Sequence, residues 1–493
     1  MIPPRTHRLP DRSTRPQELR RWSRALTLAL PLALGACASV MPANPDMDLA
    51  AVPAQWSTSR SGLDRATATD IAGWWTRFQD AQLTALVEQA LQANTSVKQA
   101  QAALRQARAL AEVQQAGLGP TLNASGSAQR SKSGSNDASN LFSAGFDAGW
   151  EPDIFGGNQA SASASAADAQ ATAANLANIQ VSLAAEVASG YINMRGLQRR
   201  LAIARSNLDT QSETLQITRW RNQAGLASSL EVEQAISTTE QTRAQIPALQ
   251  TSVTQALNAL AVLTGRAPGQ LSAELGLAAP VPPPPPDLAL AFPADTLRQR
   301  PDVHAAELRV RAAVDRIAVA DAARLPGFRL SGSLGLSALT LGSLTNGASL
   351  VQSLLASVSA PLFDGGAGRA QVRAQQAAME QTLATYEGVV LSALQEVEDA
   401  LVAIQGDAER LQRLQTAATA ATQAELLARQ RYTSGLIDFS TVLTTQGARL
   451  STQDSVAIAQ ATLSADHVRL YKALGGGWKP DAGTEAAATA AQP

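Results

Sequence analysis

The stretch Phe142-Ser143-Ala144-Gly145-Phe146-Asp147-Ala148-Gly149-Trp150 alternates without a break, with apolar or small residues at 142, 144, 146, 148 and 150 and polar residues or glycine between them. A period of two with one apolar face predicts a β-strand, close to the roughly 9 to 11 residues that cross a bilayer at a tilt. Phe328, Leu330, Gly332, Leu334 and Leu336 alternate likewise against Arg329, Ser331, Ser333, Gly335 and Ser337. Such strands fit a membrane barrel, with lipid on one side and a polar lumen on the other, or a half-buried sheet in a soluble domain. Each has a less regular neighbour, residues 121–130 and 350–360, across loops at 131–140 and 340–349 that are rich in serine, glycine and asparagine.

Working outward, the two strand regions belong to two copies of one plan. Ala116-Gly117-Leu118-Gly119-Pro120 before residues 121–127 answers Ala322-Ala323-Arg324-Leu325-Pro326 before residues 327–333. Glu151-Pro152-Asp153-Ile154-Phe155-Gly156-Gly157 answers Ala360-Pro361-Leu362-Phe363-Asp364-Gly365-Gly366 with small offsets, residues 221–226 answer 431–436, and residues 260–265 answer 470–475. Landmarks that keep their order define an internal repeat, which decides architecture before residue detail does. The resulting division is a signal peptide at 1–36, an N-terminal segment at 37–72, a first repeat at 73–279, a linker at 280–290, a second repeat at 291–478 and a disordered tail at 479–493. Consecutive prolines from Pro282 to Pro286 predict that the linker is extended rather than packed.

Each repeat reads as helix, two strands, very long helix, turn, long helix. Residues 158–223 contain no proline and are rich in alanine, so one helix of roughly 100 Å is expected at about 1.5 Å per residue. Val390, Leu394, Val397, Leu401, Ile404, Ala408 and Leu411 alternate spacings of four and three, as do Leu183, Val187, Gly190, Met194, Leu197, Leu201 and Ala204. Both rows are coiled-coil seams. Gly225 and Gly435 then interrupt the helical pattern where a hairpin would turn.

The N-terminus supplies an address. Arg20, Arg21 and Arg24 precede the apolar residues 25–36, which have the length of a signal-peptide core, and Leu34-Gly35-Ala36-Cys37 resembles a lipobox. On that reading Cys37 is diacylated and becomes the new N-terminus, and Ala38 after it implies sorting to the outer membrane. Removing the leader changes 40 basic and 41 acidic groups into 33 and 39, a balance of −6 that argues against nucleic acid as a partner. With aromatics at 4% and three scattered histidines, no catalytic or metal-binding constellation is legible, and neither an enzyme nor a cofactor is expected.

Four strands per chain cannot close a barrel, which takes about eight, so a barrel would have to be shared. Three copies would give twelve strands and an open lumen; two would give a filled one. Taken with Trp74-Trp75, Phe78, Asp80, Leu83, Leu86, Ala90-Leu91 and Asn94, the paired Pro120 and Pro326, and Leu474-Gly475, the chain resembles the TolC-type outer membrane factor family, in particular its NodT- and OprM-like efflux lipoprotein branch. The resemblance implies a mixed, mostly α fold in which a homotrimer forms a twelve-stranded barrel in the outer membrane, continued by a periplasmic α-helical barrel. It also implies two partners, a periplasmic membrane fusion protein and an inner membrane transporter of the resistance-nodulation-division type, with outer membrane lipid around the barrel and anchor.

The family's periplasmic closure maps onto the hairpin turns, so Gly225, Leu226, Gly435 and Leu436 are the expected fusion-protein contacts. The expected gate comprises Asp438, Thr441, Thr444 and Glu231. Members of the family carry aspartates at one or both positions matching Thr441 and Thr444, and their replacement here leaves Asp438 and Glu231 as substitute charges, with Glu233, Arg221 and Arg431 nearby. Threefold repetition would crowd such carboxylates and raise their pKa values, whereas an ordinary helix-end carboxylate would stay solvated. The function implied is passive export of drugs or other small toxic compounds; a duct for protein secretion and a non-conducting coiled-coil lipoprotein remain the alternatives. Cys37→Ser, exported with a cleavable signal, is expected to form trimers at reduced yield on cross-linking of membranes, because the barrel itself would hold the protein in the bilayer; complete loss of trimers would assign assembly to the lipid.

Overall fold

The computed structural model describes residues 72–135, 137–285, 297 and 299–478. The leader, Cys37, the lipobox, the second half of the linker and the tail lie outside the described residues. A short 3-10 helix, Trp74–Phe78, leads into α1 (Ala81–Ala93), α2 (Thr95–Ala116), β1 (Thr121–Ser131), β2 (Ser139–Trp150), α3 (Gly157–Gln223) and α4 (Ser229–Leu263). The second repeat gives α5 (Pro301–Ala322), β3 (Gly327–Ala338), β4 (Leu350–Ser359), α6 (Ala367–Thr433) and α7 (Phe439–Ala473). Both very long helices have 67 residues and both returning helices have 35, so the duplication read from the sequence holds to the residue in these two helix pairs.

The chain divides into two units, and the first comprises residues 118–160 and 317–372. It carries one antiparallel sheet in the order β1-β2-β3-β4. Even-numbered residues share a face, with Ala124, Phe146, Leu334 and Gln352 in one cross-strand row. On this face Leu122, Phe146, Trp150, Leu334, Leu354 and Val358 are exposed, as lipid-facing residues must be. The odd face, apart from exposed Leu141, Val351 and Leu355, consists of polar residues and glycines and pairs with itself: Ser127 with Ser143 and Ser333 with Ser353 at 2.8 Å, and the Ser125 hydroxyl donating to Asp147 at 2.7 Å. Gly145 lies opposite Gly335, where a Cβ would stand 2.8 Å from the facing Cα, so neither position admits a side chain without parting the strands. β2 and β4 each feed their long helix through an aspartate: Asp153 accepts from the amides of Asn158 and Gln159, and Asp364 from those of Gly366 and Gly368.

The second unit, residues 72–117, 161–316 and 373–478 among those described, is helical. Its core gathers around Trp74, stacked on Tyr471 with ring centroids 5.2 Å apart, and Phe78, edge-on to the same ring. Asp80 caps α1 with one oxygen and accepts the Tyr191 hydroxyl at 2.9 Å with the other, while buried Arg195 donates to Gln82, Gln198 and the Leu277 carbonyl. The seam expected on α3 is present, with Leu183, Val187, Met194 and Ala204 buried. On α6 Val390, Val397 and Leu401 are buried, but Ala408 is exposed, so that seam thins toward the turn. The described part of the proline-rich segment departs from the expected free linker: Val281 and Pro282 are buried, and Ser464 donates to the Pro282 carbonyl at 2.8 Å. A proline lacks a donor but keeps its carbonyl, and α7 uses it. Among the described residues no helix is long and apolar enough to cross a membrane. Trp74→Ala is expected to destabilise the fold by about 3–5 kcal/mol, measured as a lower urea midpoint by circular dichroism, because it empties a fully buried ring site stacked on Tyr471.

Candidate functional site at the helix hairpin tips

Both hairpins turn by the same device. Gly225 and Gly435 adopt φ values of 68° and 73°, the left-handed conformation that costs a residue with a Cβ about 1–2 kcal/mol. The amide of Leu226 donates to the Arg221 carbonyl at 2.7 Å and that of Gly225 to Asn222; the amide of Leu436 donates to Arg431 at 2.9 Å and that of Gly435 to Tyr432. These are the two bonds of a Schellman motif, made twice. Leu226 and Leu436 follow the glycines with their side chains 69% and 73% exposed, and Trp220 and Leu230 are exposed beside the first turn.

The returning helices begin on side-chain caps. Ser228 accepts from the Glu231 amide while the Glu231 carboxylate accepts from the Ser228 amide, a complete capping box. Asp438 caps α7: its Oδ1 accepts from the Thr441 amide and hydroxyl at 2.9 Å and from the Ser440 hydroxyl at 2.8 Å. Those three bonds hold the Asp438 carboxyl below the usual carboxylate range, the Ser440 hydroxyl contributing most. Within one chain the shift is thus opposite to that expected from crowded carboxylates. Thr444 is turned to its own backbone, donating to the Ser440 carbonyl at 2.8 Å, and Glu233 is exposed.

The two tips are packed into one body. Leu215, Ala235, Tyr432, Phe439 and Val442 form a small core to which both hairpins contribute. Arg221 lies over the Tyr432 ring, 4.6 Å from its centroid, and donates to the Tyr432 carbonyl at 3.2 Å. A cation at the C-terminal end of α6 complements the negative end of the helix dipole, so Arg221 joins the hairpins favourably through a carbonyl and a ring.

Above this core the sequence reading missed a stripe. Asn207, Gln211, Thr214 and Thr218 are all buried and continue the spacings of the α3 seam beyond Ala204, but with polar side chains. Gln446 of α7 donates to Thr214 at 2.8 Å, Asn207 to Gln453 at 3.1 Å, and Arg200 makes two bonds to Asp454 at 2.7 and 3.1 Å. The signal is the spacing of three and four, which Asn207, Gln211, Thr214 and Thr218 keep with polar side chains. Arg429 adds an ion pair to Glu213 at 2.9 Å, and buried Glu425 pairs with Arg449 at 3.1 Å.

A family model described as outer membrane efflux protein matches residues 86–266 and 292–476, one match to each repeat. The chain belongs to the outer membrane efflux protein family. Its function is outer membrane passage in efflux. The pyoverdine export outer membrane protein OpmQ of Pseudomonas aeruginosa is 35% identical over 469 residues, spanning 91% of this chain and 96% of that protein. Nodulation protein T of Rhizobium leguminosarum bv. viciae is 30% identical over 456 residues, spanning 92% and 94%. Among solved structures, the outer-membrane channel OprN matches with a TM-score of 0.80 at 33% identity, over 86% of this chain and 98% of that one, and VceC of Vibrio cholerae with 0.78 at 26%, over 83% and 99%. The expected fold, mostly helical with a small sheet and two repeats, is the family's.

Two outcomes follow from the tips. Gln446→Ala should cost about 1–3 kcal/mol by leaving Thr214 without its buried donor, whereas Thr214→Val with Gln446→Leu should recover part of that loss in a double-mutant cycle of thermal midpoints. Because the Asp438 carboxyl titrates lower in the folded chain than unfolded, its cap is fully present above the ordinary carboxylate range and is lost as pH falls through the lowered folded value. The protection of the Thr441 amide, taken relative to its intrinsic exchange rate, should therefore fall as pH drops below the ordinary carboxylate range, and Asp438→Asn, which keeps a capping oxygen, should remove that fall.

Proposed function

We propose that three copies of this chain close one twelve-stranded barrel in the outer membrane and ring a periplasmic duct with their long helices, forming the passive outer conduit of a tripartite efflux system. The observation that carries this reading is the sheet: four strands, a mostly apolar face that leaves Leu122, Phe146, Leu334, Leu354 and Val358 exposed, and two outer edges that pair with no strand among the described residues. In hydrocarbon an unpaired backbone donor or acceptor costs several kcal/mol, so such a sheet enters a bilayer only as part of a closed barrel. Cys37 would add a diacyl anchor.

The tips are the proposed periplasmic entrance. Exposed Leu226 and Leu436, presented on identical turns by Gly225 and Gly435, are the surface for a membrane fusion protein, which in turn joins an inner membrane transporter of the resistance-nodulation-division type. Asp438 and Glu231, each tied at a helix start, bring charge to the entrance, and Thr441 and Thr444 line the same turn of α7. The polar packing of α3 on α7 supports an entrance that opens, since hydrogen bonds exchanged for water cost less on separation than an apolar seam does. Drugs and other small toxic compounds are the leading cargo; the similarity to a pyoverdine export protein favours a pyoverdine-type compound as a second reading.

Planar bilayers test the conduit. The full chain should give discrete conductance steps, and Asp438→Asn, which preserves the cap, should raise their frequency if the charge helps to close the entrance. No conductance from either protein would favour the non-conducting lipoprotein. A deletion strain separates the cargoes: hypersensitivity to drugs supports the first, and loss of a pyoverdine-type compound from spent medium supports the second.

A further inference from the structure

The sheet edges specify how one copy meets the next, an inference that rests on the shared barrel proposed above and adds its register. β1 and β4 are the outer strands and are exposed along their whole length. Even-numbered residues of all four strands share one face, so β4 of one copy can meet β1 of another only by pairing even residues with even ones; a slip of one residue would put serines in lipid. The repeat then sets the offset. The β1–β2 and β3–β4 hairpins correspond with Thr121 on Gly327 and Gly149 on Ser359, the pairs that open each register. Gly149 faces Ser331 across the β2–β3 junction. The counterpart of Gly149 is Ser359, and the counterpart of Ser331 is Ser125.

We propose that Ser359 of one protomer lies opposite Ser125 of the next, which places Ser357 opposite Ser127 and Ser353 opposite Ser131. Side-chain chemistry selects the same register independently. It aligns three seryl pairs on the face where Ser127 already pairs with Ser143 and Ser333 with Ser353 at 2.8 Å. Within the strands, sliding by two residues in either direction leaves a single seryl pair, Ser357 with Ser125 or Ser359 with Ser127. On the apolar face the register sets Val358 against Gly126, Ala356 against Ala128 and Leu354 against Arg130, and it is the seryl face that distinguishes this register from its neighbours.

The turns beyond the strands agree. Within the chain Phe155, just after β2, packs on Phe328 at the start of β3, ring centroids 6.3 Å apart. The repeat counterparts are Phe363, after β4, and Leu122, at the start of β1, and these are 94% and 70% exposed. In the assembled barrel Phe363 covers Leu122 of the next copy, which accounts for two large apolar side chains left bare in the single chain.

Paired cysteines in the full-length chain test this in membranes. Ser127 and Ser357 of one chain lie on opposite edges of the sheet, three strand spacings or roughly 14 Å apart, too far for an internal disulfide. Ser127→Cys with Ser357→Cys should therefore give disulfide-linked dimers and trimers on mild oxidation, at least roughly tenfold more than Ser125→Cys with Ser357→Cys or Ser127→Cys with Ser359→Cys, the two slipped registers. Single-cysteine variants set the background against Cys37. A slipped pair that cross-links best overturns the register while leaving the trimer intact. No cross-link from any pair in a protein that still sediments as a trimer overturns the strand seam, whereas a monomer in the membrane overturns the shared barrel itself.

Discussion

Everything in this chain is subordinate to one requirement, that no backbone amide or carbonyl face hydrocarbon unpaired. The sheet satisfies it internally for β2 and β3 and leaves β1 and β4 each with one bare edge. An edge of this length in a soluble protein would be charged, bulged or covered. Here β1 carries Arg130 only near its outer end, β4 carries no charge at all, and both keep an unbroken register, which suits an edge meant to be paired.

Duplication makes that requirement cheap to meet. Each repeat delivers one strand hairpin and one helix hairpin of matched length, and the second differs from the first mainly in the details of its turns. Aspartates start both long helices, glycines with positive φ end them, and side-chain caps start both return helices. The stable end of the helical unit is the aromatic core of Trp74, Phe78 and Tyr471; the end at the tips has a core of only a few residues and a polar seam above it. Apolar burial contributes roughly 25 cal/mol per Å², so the end with less of it is the one that opens at lower cost.

The fold was legible in the sequence because periodicity records burial directly. The strand at residues 142–150 announces itself by alternation, and the duplication by ordered landmarks that need no knowledge of packing. The weaker strands, β1 and β4, were legible only as neighbours of the stronger ones, since an edge strand shows no burial of its own in a single chain. The tips were read by position but not by chemistry. Asp438 reads in the sequence as a gate charge, and in the fold three hydrogen bonds also make it a helix cap; Arg221, near the turn in sequence, serves a carbonyl and a ring. Neither is visible before the turn geometry is known. The buried stripe of Asn207, Gln211, Thr214 and Thr218 escaped because polar residues at core spacing read as surface until their partners on α7 are in place.

The most direct test of the account is backbone amide exchange of the membrane-embedded protein, strand by strand. If copies of the chain share one barrel, amides of β1 and β4 that point away from their own hairpin partner are protected as strongly as those of β2 and β3. Rapid exchange at every second residue along β1 and β4, with β2 and β3 protected, would contradict it: the edges would be open to water, and the sheet would stand alone.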